Sequence, residues 1–259
     1  LLSVAAVREA LGGPGGFWAD VRVVETTGST NADLLAEAGR GLAEGAVLAA
    51  EAQSAGRGRL GRTWVSPPRA ALTFSVLLRP KAVPAGARGW IPLLTGVAVA
   101  AALRAEAAVD ARLKWPNDVL AGAAKLAGIL AEQSGDAIVV GTGLNVSTRR
   151  DELPVPQATS LALEGAATTD RARLLARVLT EFEHRYRAWT GHRGDADGSG
   201  LRQEYRGRCA TLGRPVRVTL PGGRIVEGTA AEIDPAGRLV VGSAASDVTV
   251  SAGDVVHVR

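Results

Sequence analysis

Gly56-Arg57-Gly58-Arg59-Leu60-Gly61-Arg62-Thr63-Trp64, followed by Val65-Ser66-Pro67-Pro68 and the apolar run Ala71 to Leu78, is the stretch on which the fold turns. Gly56, Gly58 and Gly61 satisfy the spacing G-x-G-x-x-G. A dinucleotide-binding fold needs a helix directly after that turn. Here two prolines and a strand-like run follow, so the Rossmann reading fails. The lysine and hydroxyl residue that close a Walker loop are absent as well. What remains is a phosphate clamp. Glycines let the backbone approach an anion and adopt positive φ, and Arg57, Arg59 and Arg62 supply forked donors to phosphate or carboxylate oxygens. A mobile basic surface loop is the competing reading, because charge runs are often only solvated. The surroundings favour the clamp. No acidic residue occurs from Ala52 to Ala105, while Arg57, Arg59, Arg62, Arg69, Arg79, Lys81, Arg88 and Arg104 all fall there. A field of one sign suits an anionic partner.

The chain has 259 residues, 46% hydrophobic and 22% charged, which fits one large domain with a small companion and excludes a disordered or fibrous protein. The one cysteine, Cys209, forms no intrachain disulfide, which favours a reducing, cytoplasmic setting. With His184, His192 and His257 scattered along the chain, no zinc-ligand spacing appears. The longest apolar run, Ile91 to Leu103, falls short of the roughly 20 residues that cross a bilayer, and no signal peptide opens the chain. Neither a membrane nor, at a net charge of +4, DNA is an expected partner.

Outward from the loop, the elements alternate. Ser3 caps a short helix to Leu11, and a Gly12–Gly16 loop follows. Val21–Thr26 reads as a strand, and Gly28-Ser29-Thr30-Asn31 as the cap of a helix over Ala32–Ala38. Ala46–Glu51 and Ala71–Leu78 read as strands, Trp90–Ala108 as a buried helix, and Arg112–Trp115 as a strand ending in the turn Pro116-Asn117-Asp118. Leu126–Gln133 and Ala137–Gly141 read as a hairpin, and Gly141–Val146 as a further turn. Leu174, Leu175, Val178, Leu179, Phe182, Tyr186 and Trp189 form one helical stripe within Asp170–Trp189. Gly191–Gly200 is a loop and Leu201–Arg208 a short helix. Beyond it, Val216–Leu220, Arg224–Ile233, Arg238–Gly242 and Val248–Val258 are short strands of a small all-β barrel. The chain therefore divides near Gly207, into 1–207 and 208–259.

Lysine usage sharpens the chemistry. Against 27 arginines stand only Lys81, Lys114 and Lys125. Lys114 opens Lys-Trp-Pro-Asn-Asp and Lys125 opens Lys-Leu-Ala-Gly-Ile, where a compact point charge with movable donors is called for. Asp118 is a candidate for holding Mg²⁺ or orienting an amine, though Asx residues also serve turns for backbone reasons. Ser29, Thr30 and Asn31 serve either as a cap or as polar contacts to a ligand's urea or amide. Gln53 is a plausible second amide contact, and Asn145 a contact to an adenine edge. Cys209 reads as a buried junction residue.

Together, Gly-Ser-Thr-Asn at 28–31, Gln53, the loop at 56–64, Lys-Trp-Pro-Asn-Asp at 114–118, Lys-Leu-Ala-Gly-Ile-Leu at 125–130 and Gly-x-Gly-Leu-Asn-Val at 141–146 resemble the biotin protein ligases, over nearly the whole chain. The resemblance implies an α+β fold: a mixed-sheet catalytic domain with helices packed on it, then a small SH3-like barrel. It implies that biotin and MgATP give biotinyl-5′-AMP and pyrophosphate, with ATP, Mg²⁺ and biotin used as substrates and no bound prosthetic group. A lysine on a biotin carboxyl carrier domain of a carboxylase, such as acetyl-CoA carboxylase, then displaces AMP. Lys125, Arg57, Arg59 and Asp118 are the implied catalytic set, Lys125 bridging carboxylate and α-phosphate. Ser29, Thr30, Asn31, Gln53, Gly56, Arg57, Gly58, Arg59, Lys125, Gly128 and Ile129 are the implied biotin site. Arg62, Trp64, Asn117, Lys125 and Asn145 are the implied ATP contacts, and Asp118 the implied metal contact. Because the pattern opens near Val21, the reading is a form without an N-terminal helix-turn-helix domain. A lipoate–protein ligase or octanoyltransferase is the sister alternative; the arginine loop and Gln53 weigh against it.

Overall fold

The computed structural model describes residues 1–13, 16–243 and 246–258. Positions 14 and 15 of the Gly12–Gly16 loop, and positions 244, 245 and 259 of the second predicted domain, lie outside the described residues. In chain order the elements are α1 (Val4–Ala10), β1 (Asp20–Thr27), α2 (Thr30–Gly39), β2 (Ala46–Gln53), β3 (Ala71–Leu78), α3 (Trp90–Ala107), β4 (Ala111–Lys114), β5 (Asp118–Ala121), β6 (Ala124–Ser134), β7 (Ala137–Asn145), α4 (Arg171–Gly191) and α5 (Leu201–Arg208). Then come β8 (Pro215–Thr219), β9 (Ile225–Ile233), β10 (Leu239–Gly242), β11 (Val248–Val250) and β12 (Asp254–His257). Two sheets result, one of seven strands ordered β1-β2-β3-β7-β6-β5-β4 and one of five ordered β11-β10-β9-β8-β12.

In the large sheet β1 and β2 are parallel, joined through α2 as a parallel pair requires, and the other neighbours run antiparallel. All eight residues of β3 are buried because both faces of the sheet are covered. Leu77 packs with Leu34 and Ala38 of α2. Leu72, Phe74, Val76 and Leu78 belong to the core that α3 and α4 cover. The stripe on α4 is buried at every one of its seven predicted positions. As one helical stretch, Ala85–Ala107 is apolar and long enough by composition to span a bilayer, which the uninterrupted-run count missed. Its residues Trp90, Ile91, Leu94, Val97, Ala98 and Leu103 are core residues, so burial from several sides accounts for its apolar character.

Three expectations need correction. Gly141–Asn145 is not a turn but the second half of β7. The glycines there allow close approach rather than a bend. Asp118 does not end a turn; it opens β5, a strand the sequence reading did not foresee, paired with β4 at Lys114. Val248–Val258 is not one strand, because β11 pairs with β10 at one edge of the small sheet and β12 with β8 at the other. A straight run does not reach both edges.

The five-stranded unit is welded to the first rather than tethered. Trp90 Nε1 donates to Pro235 O at 2.8 Å and Trp115 Nε1 to Gly237 O at 3.0 Å. Cys209 is buried at this junction, beside Leu113, and burial pushes its thiol up, so it is not an activated nucleophile.

Candidate active site

A cleft lies over the large sheet, the concave setting in which small-molecule sites are found. Its floor comes from Thr73 and Phe74 of β3, Gly141, Thr142 and Gly143 of β7, and Gly128, Ile129 and Leu130 of β6. The α2 N-terminus contributes Ser29, Thr30 and Asn31, and Gln53 projects from the end of β2. Ser29 occupies the N-cap position but makes no side-chain cap. Gln53 Oε1 does that work instead, accepting from Thr30 N at 2.8 Å. One orphan donor of the helix is thereby satisfied from another strand, and the Ser29 hydroxyl keeps its place in the cleft wall.

Lys125 reaches the cleft through a β-bulge. Asp118 pairs with Gly128 and Val119 with Ala127, but Leu120 pairs with Lys125, so Leu126 is the extra residue. Directly paired residues share a sheet face, and alternate residues of β5 share one too. Without the bulge Lys125 would face away from Gly128; with it, Lys125, Asp118 and Gly128 face together. Lys125 Nζ lies 2.6 Å from Asp118 Oδ1. The Lys125 backbone is pinned on its other side, its N donating to Gln157 O at 2.7 Å and its O accepting from Thr159 N at 2.8 Å.

The arginine loop closes one side. Arg57 Nη1 meets Glu132 Oε1 at 3.1 Å, Arg59 Nη1 donates to Asn117 Oδ1 at 3.1 Å, and Arg62 Nη1 donates to Asp254 Oδ1 of β12 at 3.2 Å. Burial pulls the Arg59 guanidinium below its ordinary value against the opposing pull of Asp118 and Asp254, yet an arginine stays charged. Trp64 packs close against the glycines: a Cβ on Gly143 would come within 2.2 Å of its ring. Trp64 Nε1 and Thr142 Oγ1, both in the cleft lining, are buried without a protein hydrogen-bond partner.

Thus Ser29, Thr30, Asn31, Gln53, Arg57, Gly58, Arg59, Arg62, Trp64, Asn117, Asp118, Lys125, Gly128 and Ile129 all line one cleft. Two expected contacts do not. Asn145 is buried outside the lining, its Nδ2 donating to Thr159 O at 2.9 Å, which ties the end of β7 to the segment at Thr159. Gly56 sits behind the wall, where a Cβ would come within 2.4 Å of Trp64 O. The sequence reading missed Leu60, Thr63, Thr73, Phe74, Leu130, Gly141, Thr142, Gly143 and Asp254. The Gly141-x-Gly143 alternation after the apolar run 138–140 is the one local signal that marks a strand approached closely by something large.

Comparison with known proteins agrees with this geometry. Residues 23–147 match the Biotin/lipoate A/B protein ligase family, and residues 211–258 the Biotin protein ligase C terminal domain. The chain is 47% identical to the biotin–[acetyl-CoA-carboxylase] ligase of Mycobacterium tuberculosis, over 100% of this chain and 96% of that one. It is 41% identical to the bifunctional ligase/repressor BirA of Escherichia coli over 62% of this chain and 52% of that protein. Among solved structures, the biotin protein ligase of Aquifex aeolicus in complex with biotin and ATP superimposes with a TM-score of 0.77 at 26% identity, covering 93% of this chain and 99% of that one. The mixed sheet with its helices, the small antiparallel barrel and the match along the full length lead to one assignment: the chain belongs to the biotin protein ligase family.

Proposed function

We propose that the chain is a biotin–protein ligase. It activates biotin with MgATP to biotinyl-5′-AMP, then transfers biotin to a lysine of a biotin carboxyl carrier domain. The observation that carries the reading is the convergence of Lys125, Arg57, Arg59 and Arg62 on one cleft. Both substrates are anions, and their approach needs fixed positive charge. In the first step a biotin carboxylate oxygen forms a bond to the α-phosphorus and the bond to pyrophosphate breaks. Lys125 bridges the carboxylate and the α-phosphate, while Asp118 holds its ammonium in place. Ser29, Thr30, Asn31 and Gln53 seat the ureido ring beside Gly128 and Ile129. Arg62, Asn117 and Trp64 receive the nucleotide. Arg57 and Arg59 close over the acyl-adenylate and exclude water.

In the second step the acceptor lysine nitrogen bonds to the acyl carbon, the bond to AMP breaks, and the proton leaves to Asp118. Among the described residues no cluster of three His, Cys, Asp or Glu side chains forms a metal cage. Mg²⁺ is therefore read as part of the co-substrate, arriving on the phosphates, with Asp118 the single carboxylate offered besides its ion pair.

The partner proposed is the carrier domain of a biotin-dependent carboxylase in the cytoplasm, consistent with the acetyl-CoA carboxylase in the mycobacterial relative's name. The reaction requires neither DNA nor a membrane. We place the catalytic unit at 1–207 and the barrel at 208–259, with Asp254 the barrel's contribution to the cleft. Pyrophosphate release from MgATP without an acceptor tests the reading. Biotin is expected to give a burst and lipoate none. A burst with lipoate alone, or silence with both in a folded sample, overturns it.

A further inference from the structure

Glu132 of β6 is outside the cleft lining, yet it holds two residues that are in it. Its Oε2 accepts from Asn31 Nδ2 at 2.8 Å, and its Oε1 meets Arg57 Nη1 at 3.1 Å. Asn31 is locked by what surrounds it. Its Nδ2 also donates to Leu130 O at 3.1 Å, so its Oδ1 is the end that accepts from Ser75 Oγ, at 2.6 Å. The single Ser75 proton is thereby committed, so in the 2.6 Å contact between Ser75 Oγ and Thr30 Oγ1 it is Thr30 that donates, its one hydrogen shared with Gln53 Oε1 at 3.1 Å. Thr30 N in turn donates to Gln53 Oε1 at 2.8 Å. Gly141 leaves room for Asn31, since a Cβ there would come within 2.4 Å of Asn31 Oδ1.

A continuous chain of hydrogen bonds thus runs Gln53–Thr30–Ser75–Asn31–Glu132–Arg57. It starts on residues rigidly set in β2, α2, β3 and β6 and ends on the glycine-rich loop. We propose that Glu132 is a positioning residue that ties the seat of the biotin ring to the clamp: Asn31 fixes the carboxylate, and the carboxylate fixes Arg57. Anything that shifts Asn31 moves the acceptor Arg57 depends on, so occupancy of the ring seat and closure of the loop are one event. The proposal rests on the ligase reading for the identity of the ligand; the hydrogen-bond chain itself does not.

Hydrogen exchange of the loop amides tests the coupling. The reporters are Gly58 N, Arg62 N and Trp64 N, bonded to Arg62 O, Arg59 O and Gly56 O. Glu132→Gln keeps an acceptor for Asn31 and removes the charge that holds Arg57. It is expected to speed exchange at these amides by about tenfold, as Arg57→Gln does, while core amides of β3 and β7 keep their protection. The double variant is expected to exchange no faster than either single one, and biotinyl-5′-AMP to dissociate about tenfold faster from each of the three. Should the Gln variant also lose protection in the core, Glu132→Asp takes its place: it keeps the charge, shortens the reach by one methylene, and is expected to free the loop with the same non-additivity. Unchanged loop exchange, or effects that multiply in the double variant, overturns the proposal. Absence of biotin binding in the unaltered protein would strike the ligase reading and leave the exchange result standing.

Discussion

The Lys125 ammonium sits 2.6 Å from one carboxylate oxygen, with about a third of its side chain (35%) exposed toward the cleft. Its removal costs no core packing. Lys125→Ala is therefore expected to lower adenylate formation by about 100- to 1000-fold, the scale of a lost transition-state donor, with the thermal midpoint nearly unchanged; pyrophosphate release and a melting curve check both. Gly143 is the converse case, a residue defined by what its absent side chain permits. Gly143→Ala drives a methyl into the Trp64 ring and is expected to raise KM for ATP about tenfold or more, at a misplacement of roughly an ångström. As residues of the cleft wall, Lys125, Arg59 and Gln53 were legible in the sequence by their chemical signature. Thr73, Phe74 and Thr142 were not, because a strand buried on both faces hides which face meets a ligand. Asn145 lies outside the cleft lining, although its motif neighbours Gly141 and Gly143 belong to it.

The bulge at Leu126 is the element on which the orientation of Lys125 depends. Nothing in Lys-Leu-Ala-Gly-Ile announces it, since a bulge shows only when the partner strand is known, and β5 was itself unforeseen. Long periodic elements were read well for the opposite reason. The α4 stripe, Leu174 to Trp189, repeats over about four turns, and β3 matches its predicted span, Ala71–Leu78, at both ends. Phe182 at the centre of that stripe is fully packed, and Phe182→Ala is expected to cost about 3–5 kcal/mol by denaturant unfolding. The arginine loop behaves differently: it closes on itself through one antiparallel bridge, Arg57 to Thr63, and its arginines reach the rest of the molecule through their side chains. Arg59 bridges it to Asn117. Arg59→Gly is expected to release biotinyl-5′-AMP into solution and to label lysines of a bystander protein; labelling confined to the acceptor would remove Arg59 from the clamp.

Across the whole molecule, the barrel completes the cleft through Asp254, which meets an arginine 192 positions earlier in the chain. No local pattern foretells such a contact. The hydrogen bond from Arg62 holds the Asp254 carboxyl below the usual carboxylate range, against the opposing effect of partial burial. A carboxyl depressed in the folded state contributes stability that is present above its unfolded pKa of about 4 and is lost as pH falls through the folded value. The difference in melting temperature between the unaltered protein and Asp254→Asn is therefore expected to stay constant from pH 6 to 8, about the neutral range, and to close on acidification. With the carboxylate and guanidinium both substantially exposed, at 41% and 62%, that difference is small. The five tryptophans are distributed unequally across the two units. Trp18, Trp90, Trp115 and Trp189 are buried, and each indole N–H is already bonded to a carbonyl. Trp64 alone faces the cleft with its N–H unpartnered. The protein thus carries its own optical probe: emission that shifts when nucleotide or acyl-adenylate is titrated in reports the environment of one indole over a constant background of four, and Trp64→Phe should silence the signal while leaving that background in place.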